Sequence, residues 1–189
     1  MNIKGVVQRG PNTYRFTVSS GFDGNGKNVM NPTTVINLEE NAYVEMDTVQ
    51  IKGVDSTDRV TTAKIAKGAT LIVSEKLMTH GTQRADTDFS VDMNGENSSA
   101  NVVSRSVATD NSVQVYRSNI NGNSKCHGHT ECDAIIMDEA TVLAIPEVSA
   151  NHINASLIHE AAIGKIAGEQ LLKLMTLGLT EAEAEEQII

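Results

Sequence analysis

The amino-acid sequence predicts a mainly β protein, and its pattern favours a β-solenoid over a β-sandwich. From about residue 42 to residue 160, short alternating or β-branched runs are broken by Gly, Asn and Asp roughly every ten to fifteen residues. No helical period intrudes on this stretch, so alternating strand and helix units are not expected. Only 3% of the chain is aromatic, which suits the narrow interior of a solenoid. No repeat of fixed period is visible, so the sandwich stays open as an alternative.

The clearest strands are predicted in the middle of the chain. Five runs share an alternating or strongly apolar character: residues 44–48, 70–73, 89–93, 113–116 and 134–137. Three breaks between such runs pair Asn or Asp with Gly or Asn: residues 94–95, 110–111 and 121–122. One or two further strands are expected around residues 14–19, followed by a loose loop rich in Gly and Asn.

The last thirty or so residues change to a helical pattern. Over residues 165–177 the apolar positions fall on one helical face, and Gly178 follows as a C-terminal stop. Thr180 and Glu183 then have the spacing of a capping box, which predicts a second short helix. The expected division is a β-helix core, in which the first forty or so residues are ambiguous, followed by a small C-terminal helical hairpin: residues 1–162 and 163–189.

The composition excludes several classes of function. The chain has 189 residues, 40% of them hydrophobic, and a formal net charge of -9. A nucleic-acid surface needs clustered Lys and Arg, which such an acidic chain does not favour. No apolar stretch approaches the roughly 18 residues of a membrane span, and residues 1–11 have no apolar signal-peptide core. We therefore expect a cytoplasmic protein that binds neither nucleic acid nor membranes.

A Gly-rich segment near the N-terminus comes close to a phosphate-binding P-loop. Residues 21–28 end in Lys27 and Asn28, whereas the motif requires Ser or Thr after the lysine to hold magnesium. Pro32 would also interrupt the helix whose N-terminus faces the phosphates. A flexible turn is the better interpretation, and the chain is not expected to bind ATP by itself.

The densest chemistry lies in the segment CHGHTECD, which begins at Cys126. Its two thiols and two imidazoles are ligands that zinc and iron prefer. On an extended strand, Cys126 and Cys132 would face one side. His127, His129 and Glu131 would then face the other side. Only a sharp turn could offer the two thiols and the two imidazoles to one metal ion. Metal binding and a buried structural cysteine therefore both remain open.

His159 and Glu160 form a second concentration of polar groups, shortly before the predicted C-terminal helix, and His152 lies seven residues upstream. Acidic residues are common near the start of a helix because they interact favourably with its positive end. A surface role for this pair is thus the alternative to a functional one.

Four segments in this order resemble the core of the SufB/SufD family, the scaffold proteins of Suf-type iron–sulfur cluster assembly. They are GTQRADTDF at 81–89, NSSANVVSR at 97–105, HTECDA at 129–134, and IHEAAIGKI at 158–166 followed by EQL at 169–171. The resemblance covers roughly residues 40–189, and the spacing of the four segments makes it specific. It implies a right-handed parallel β-helix followed by a small helical C-terminal region. The chain is much shorter than typical members of this family.

The resemblance also implies a function, a set of partners and a set of site residues. Members pair through their β-helices and are docked at their C-terminal helices by a SufC-type ATPase, so we expect a scaffold rather than an enzyme. By position, Cys132 corresponds to a SufB cysteine, Glu160 to a SufB glutamate and His159 to a SufD histidine that surround the nascent cluster. All three occur here in one chain, which suggests a homodimer, while a SufB/SufD-like heterodimer stays open. A sulfur donor is a further expected partner, and the iron–sulfur cluster would be bound only transiently.

Two other functions remain as alternatives. The chain could be a SufD-like structural partner whose Cys132 supports the core and binds no cluster, or a β-solenoid protein with a stable zinc site between Cys126 and Cys132. An acidic β-solenoid enzyme acting on polysaccharide is disfavoured, because such enzymes use aromatic platforms for sugar rings and this chain has few aromatic residues.

Overall fold

A computed structural model describes residues 7–10, 13–20, 28–51, 53–165, 173–180, 183, 184 and 187. Strands dominate these residues. Their bounds are β1 Val7–Gly10, β2 Thr13–Ser20, β3 Val29–Met30, β4 Thr33–Leu38, β5 Tyr43–Gln50, β6 Ser56–Ile65, β7 Thr70–Thr79, β8 Arg84–Met93, β9 Ser98–Ala108, β10 Val113–Gly122, β11 Cys126–Ile136, β12 Thr141–Ala150 and β13 Ser156–Lys165.

The strands form a parallel β-solenoid of about five turns. One sheet has the order β1-β2-β5-β7-β9-β11-β13, and the other has the order β12-β10-β8-β6-β3, with β4 also paired to β6. From β5 onward, successive strands alternate between the two sheets, so each coil consists of two strands and two turns. Every pairing is parallel except that of β1 with β2. The prediction of a solenoid rather than a sandwich is confirmed.

The coils differ slightly in length, which explains why the sequence shows no fixed repeat. Tyr43 is paired with Thr70, twenty-seven residues later, whereas Thr70 is paired with Ser99, twenty-nine residues later. A half-coil therefore takes about fourteen residues, which matches the spacing of the predicted breaks. Stacking places equivalent positions above one another without requiring the same residue at each.

The interior is filled by alternate residues of each strand. In β5 and β7 every second residue is buried, as the period of two in a strand requires. Most buried apolar side chains are aliphatic or sulfur-containing, and Phe89 and Tyr116 are the buried aromatic residues in the described part of the chain. The low aromatic content of the sequence is therefore reflected in a core built mostly from aliphatic side chains.

Asparagine and aspartate stack at the turns. Asn123 Nδ2 donates a hydrogen bond of 2.8 Å to Asn94 Oδ1 in the preceding coil, and Asn151 Nδ2 donates one of 2.8 Å to Asn123 Oδ1. Asn97 and Asp110 have positive φ angles of 58° each, which these residue types tolerate better than most. The predicted breaks at residues 94–95 and 110–111 are confirmed.

The third predicted break is displaced by two residues. Asn121 and Gly122 are the last residues of β10, and the turn begins at Asn123. Gly122 is required at the end of β10 because neighbouring side chains leave no room for a Cβ atom. A Cβ on it would lie 2.9 Å from the Cβ of Ala155 and 3.2 Å from the sulfur of Cys126, so this glycine permits close packing inside the last coil.

The C-terminal region contains helical residues at 173–176, 183, 184 and 187. Gly178 has a φ of 97°, in agreement with its predicted role as a helix stop. The capping box is also present, because the Thr180 amide donates to Glu183 Oε2 at 2.8 Å and the Glu183 amide donates to Thr180 Oγ1 at 3.3 Å. The prediction of a helix from residue 165 is wrong at its first residue, since β13 continues through Lys165. The rest of the first helical turn and most of the second helix lie outside the described residues.

Two further expectations concern the ends of the chain. Residues 21–27 of the P-loop-like segment lie outside the described residues, but strands β3 and β4 follow it where a nucleotide-binding helix would be needed. No helix in the part of the chain that the structure describes is long and apolar enough to cross a membrane.

Candidate functional site

Strand β11 carries the segment CHGHTECD, and it separates the thiols from the imidazoles. Cys126 and Cys132 face the interior and are buried, with 1% and 2% of their surfaces exposed. His127, His129 and Glu131 occupy the alternate positions and face outward. The prediction from strand periodicity is confirmed, and no sharp turn folds the two sets together. A zinc site made of two thiols and two imidazoles is therefore not formed in this conformation.

Cys132 lies in an inward-facing column that contains a buried charge pair. In the register of the first sheet, Glu75, Ser104 and Cys132 occupy the same position in successive coils. The Ser104 hydroxyl donates to Glu75 Oε2 at 2.8 Å, and Arg59 on the opposite sheet forms a buried salt bridge with the same carboxylate. Arg59 also donates to Gln50 Oε1 at 2.9 Å. The Cys132 thiol is therefore stacked next to polar and charged side chains in the interior.

This environment keeps the Cys132 thiol protonated. Burial raises the pKa of Cys132 to about 11, and the negative charges of Glu75 and Asp133 add to this effect. A protonated thiol is a poor nucleophile and a poor metal ligand, since iron and zinc bind the thiolate. Burial also raises the pKa of Cys126, although hydrogen bonds from Ser124 act in the opposite direction. Both cysteines are free of disulfide bonds.

Two other polar groups face the same interior from the second sheet. The hydroxyls of Tyr116 and Thr87 are buried and have no hydrogen-bond partner among the described residues. The pKa of Tyr116 is raised by burial and, to a smaller extent, by the negative charge of Glu75, so its phenol stays neutral. Buried polar groups without partners are rare in native proteins, which marks this part of the interior as unusual.

His159 faces inward from β13, the last strand of the first sheet. Its Nδ1 lies 2.6 Å from the hydroxyl of Thr130, which is its register partner on β11. Its Nε2 is buried and has no partner in the described part of the chain. Burial lowers the pKa of His159, and the nearby His129 lowers it further. The imidazole is thus held neutral, which is the form that binds metals.

Glu160 faces outward, away from Cys132 and His159. It lies beside Glu131 in the register between β11 and β13, and its Oε2 is 3.3 Å from Nε2 of His129. Ligand atoms of His129, Glu131 and Glu160 all lie within 4.8 Å of one another. Two further hydrogen bonds tie this group to β9: His129 Nδ1 with Asn101 Oδ1 at 2.8 Å, and Arg105 Nη2 with Glu131 Oε1 at 3.0 Å.

The structure therefore divides the three predicted site residues between two faces. Cys132 and His159 lie on the inner face of neighbouring strands, and Glu160 lies on the outer face with His129 and Glu131. The sequence leaves His129 open as a metal ligand and does not single out Glu131. The sequence does indicate that these two residues face the same side of β11, because they are two positions apart on a strand. It does not show that Glu160 lies beside them, because that depends on how one coil stacks on the next.

The sequence as a whole also matches a known protein family. A family model described as "SUF system FeS cluster assembly, SufBD core domain" matches residues 15–189, which is nearly the whole chain. The chain belongs to the SufBD family. This confirms the resemblance found in the four sequence segments, and the SufBD match extends further toward the N-terminus than those segments do.

Curated SufBD relatives support the same assignment. An iron-sulfur cluster assembly SufBD family protein of Archaeoglobus fulgidus is 32% identical over 160 residues, covering 84% of this chain and 43% of the relative. One from Methanocaldococcus jannaschii is 30% identical over 192 residues, covering 99% of this chain and 60% of the relative. One from Staphylococcus saprophyticus is 35% identical over 128 residues, covering 66% of this chain and 27% of the relative. The chain thus matches at most 60% of the length of each of these curated relatives.

Proposed function

We propose that this SufBD-family chain is a scaffold subunit for iron–sulfur cluster assembly. It holds a nascent cluster transiently at a dimer interface, with Cys132, His159 and Glu160 as ligands, and it docks a SufC-type ATPase through its C-terminal region. The cluster is the cargo of this reaction rather than a resident cofactor. The proposal combines the family membership of the chain with the placement of these three residues on the neighbouring strands β11 and β13.

The observation that carries the proposal is the juxtaposition of Cys132 and His159. Thr130 pairs with His159 and Cys132 pairs with Ala161, so the thiol and the imidazole are diagonal neighbours on the same inner face. The unpartnered Nε2 of His159 supplies a free nitrogen ligand next to the thiol. Thiolate is the usual ligand of cluster iron, and imidazole replaces it in some centres.

The last coil also has the features of a dimer interface. Within the described residues, β12 pairs only with β10 and β13 only with β11, which leaves one free edge on each sheet. Large apolar side chains are exposed on these two strands: Leu143, Ile145, Val148, Ile158 and Ile163. A second solenoid packed against this coil would cover these side chains and place a second copy of His159 near the first.

The placement of Glu160 supports a site that must rearrange. Glu160 and Cys132 point to opposite faces of neighbouring strands, so a single chain at rest does not present both to one iron atom. The raised pKa of Cys132 adds a second barrier, because iron binding requires loss of the thiol proton. Movement of the last coil, driven by an ATPase partner, would remove both barriers. A mixed Cys, His and Glu site would then hold the cluster less firmly than four cysteines, which suits later release.

Anaerobic reconstitution with iron and sulfide, in the presence of a SufC-type ATPase and ATP, tests this proposal. Visible absorption is recorded for wild type, Cys132→Ala and Cys126→Ala, in which Cys126→Ala is a matched control that removes the other buried thiol of β11. We expect a cluster chromophore in wild type and Cys126→Ala, and its loss in Cys132→Ala. Equal chromophores in all three proteins would contradict a ligand role for Cys132.

A second candidate function is favoured by the burial of the thiol. With 2% exposure and a raised pKa, Cys132 at rest has the character of a structural core residue. The chain would then be a SufD-like partner that supports another subunit and binds no cluster itself. This alternative predicts that Cys132→Ala supports cluster assembly as well as wild type when the SufC-type ATPase and a SufB-like subunit are present.

A further inference from the structure

The outer face of strands β11 and β13 carries an arrangement that the cluster ligands do not explain. His129, Glu131 and Glu160 converge from two neighbouring strands, with their ligand atoms within 4.8 Å of one another. All three side chains retain some solvent exposure, so a small ion can reach them. They lie on the opposite side of β11 and β13 from Cys132 and His159.

The hydrogen bonds of His129 indicate that a cation belongs in this group. Its Nδ1 lies 2.8 Å from Asn101 Oδ1, and because an amide oxygen only accepts hydrogen bonds, this contact favours the tautomer that carries its proton on Nδ1. The neutral ring then has its lone pair on Nε2, which faces Glu160 Oε2 at 3.3 Å. A lone pair and a carboxylate oxygen at this distance repel each other unless Nε2 is also protonated or a metal ion lies between them.

The surrounding charges leave this group short of positive charge, which favours the binding of a cation. Arg105 is the cation that contacts this group, and it is shared between Glu131 at 3.0 Å and Asp133 at 3.6 Å. Glu160 therefore receives no part of the arginine charge through a direct contact among the described residues. A histidine whose far nitrogen is fixed by an amide oxygen also has the usual geometry of a metal ligand, in which the outer partner sets the tautomer.

We propose that Nε2 of His129 and the carboxylates of Glu131 and Glu160 bind one divalent first-row transition-metal ion. Ions of this class bind nitrogen and oxygen ligands at about 2.0–2.2 Å, so the ligand atoms of one ion lie about 3 to 4.4 Å apart. The observed separations need only small side-chain rotations to reach this range. One imidazole and two carboxylates suit ferrous iron, since they include no thiolate that would select a softer ion.

With this metal site, strands β11 and β13 carry two ligand sets: the proposed cluster ligands and the proposed divalent-ion ligands. The identity of the ion as ferrous iron bound for the cluster rests on the proposed function, whereas binding of a divalent ion does not. Glu160 belongs to both ligand sets. An iron atom bound on the outer face would therefore stay attached to Glu160 while the last coil moves to expose Cys132.

Titration with Co²⁺ tests the site, because bound Co²⁺ has visible absorption bands that report its ligands. Wild type is compared with His129→Gln and Glu131→Gln, and with two matched controls. His127→Gln removes an outward imidazole of the same strand, and Glu139→Gln removes an exposed turn carboxylate. We expect one Co²⁺ per chain, with affinity at least tenfold weaker in His129→Gln and Glu131→Gln and unchanged in both controls.

Two further readouts separate this inference from the proposed function. Cys132→Ala should bind Co²⁺ as wild type does, even though it should form no cluster. Proton NMR of the Co²⁺-loaded wild type should show one strongly shifted imidazole N–H, which is the Nδ1 proton held by Asn101. No Co²⁺ binding by wild type, or binding that survives both His129→Gln and Glu131→Gln, would overturn the metal site. The reconstitution result with Cys132 would stand independently of either outcome.

Discussion

Raising the pH should show that the Cys132 thiol is protonated in the resting protein. Burial, with the charges of Glu75 and Asp133, raises its pKa from 9.0 to about 11. A difference of this size makes the thiolate about 100 times scarcer at neutral pH than in an ordinary cysteine. Because alkylating reagents react with the thiolate, the rate of modification at Cys132 should be lower by at least this factor.

The assay is iodoacetamide labelling of the Cys126→Ala variant between pH 7 and pH 10, followed by mass spectrometry. In this variant Cys132 is the remaining thiol. We expect the labelling rate to rise about tenfold per pH unit throughout the range. The urea-unfolded variant should instead level off near the ordinary pKa of 9.0. A native rate that levels off at or below pH 9 would refute the argument that the interior holds this thiol protonated.

Three predictions concern stability. Glu75→Gln leaves Arg59 in the core without its counter-charge, so urea denaturation should show a free energy of unfolding lower by about 3 kcal/mol or more; a loss below about 1 kcal/mol would contradict the buried pair. Between pH 9 and pH 11 the unfolded Cys132 ionises first, so wild-type stability should fall by about 2 kcal/mol relative to Cys132→Ala, and equal pH profiles would speak against it. In Gly95→Ala the new Cβ would lie 1.9 Å from the backbone nitrogen of Lys67 in the preceding coil, whereas in Gly164→Ala it would meet none of the described residues within 4 Å. Thermal denaturation should show severe destabilisation only in the first variant.

Local chemistry in the sequence predicted much of the fold. Strand alternation, turn spacing and the scarcity of aromatic residues depend on neighbours along the chain, and all of them agreed with a solenoid. The capping box of Thr180 and Glu183 is local in the same way, and its hydrogen bonds are formed. The two-sided character of β11 followed from strand periodicity alone.

The contents of the candidate site could be predicted only in part, because they depend on the stacking of coils. Coil length varies by a few residues, so the sequence does not show that Glu75 lies two coils behind Cys132, or that Glu131 lies beside Glu160. The break expected at Gly122 was misplaced for the same reason. That glycine responds to Ala155 and Cys126, which approach it through the packing of the last coil rather than through the turn.

The most direct test of the cluster proposal is the Mössbauer spectrum of protein reconstituted with ⁵⁷Fe and sulfide in the presence of a SufC-type ATPase and ATP, recorded for wild type and for Cys132→Ser. Serine keeps the approximate size of the side chain but replaces the sulfur ligand by oxygen. The spectrum therefore shows both whether a cluster forms and whether residue 132 is bound to one of its iron atoms. The proposed scaffold function predicts a sulfide-bridged cluster in wild type, with one iron site altered or lost in Cys132→Ser. Identical spectra from the two proteins, or no cluster in either, would contradict the claim that Cys132 holds the nascent cluster.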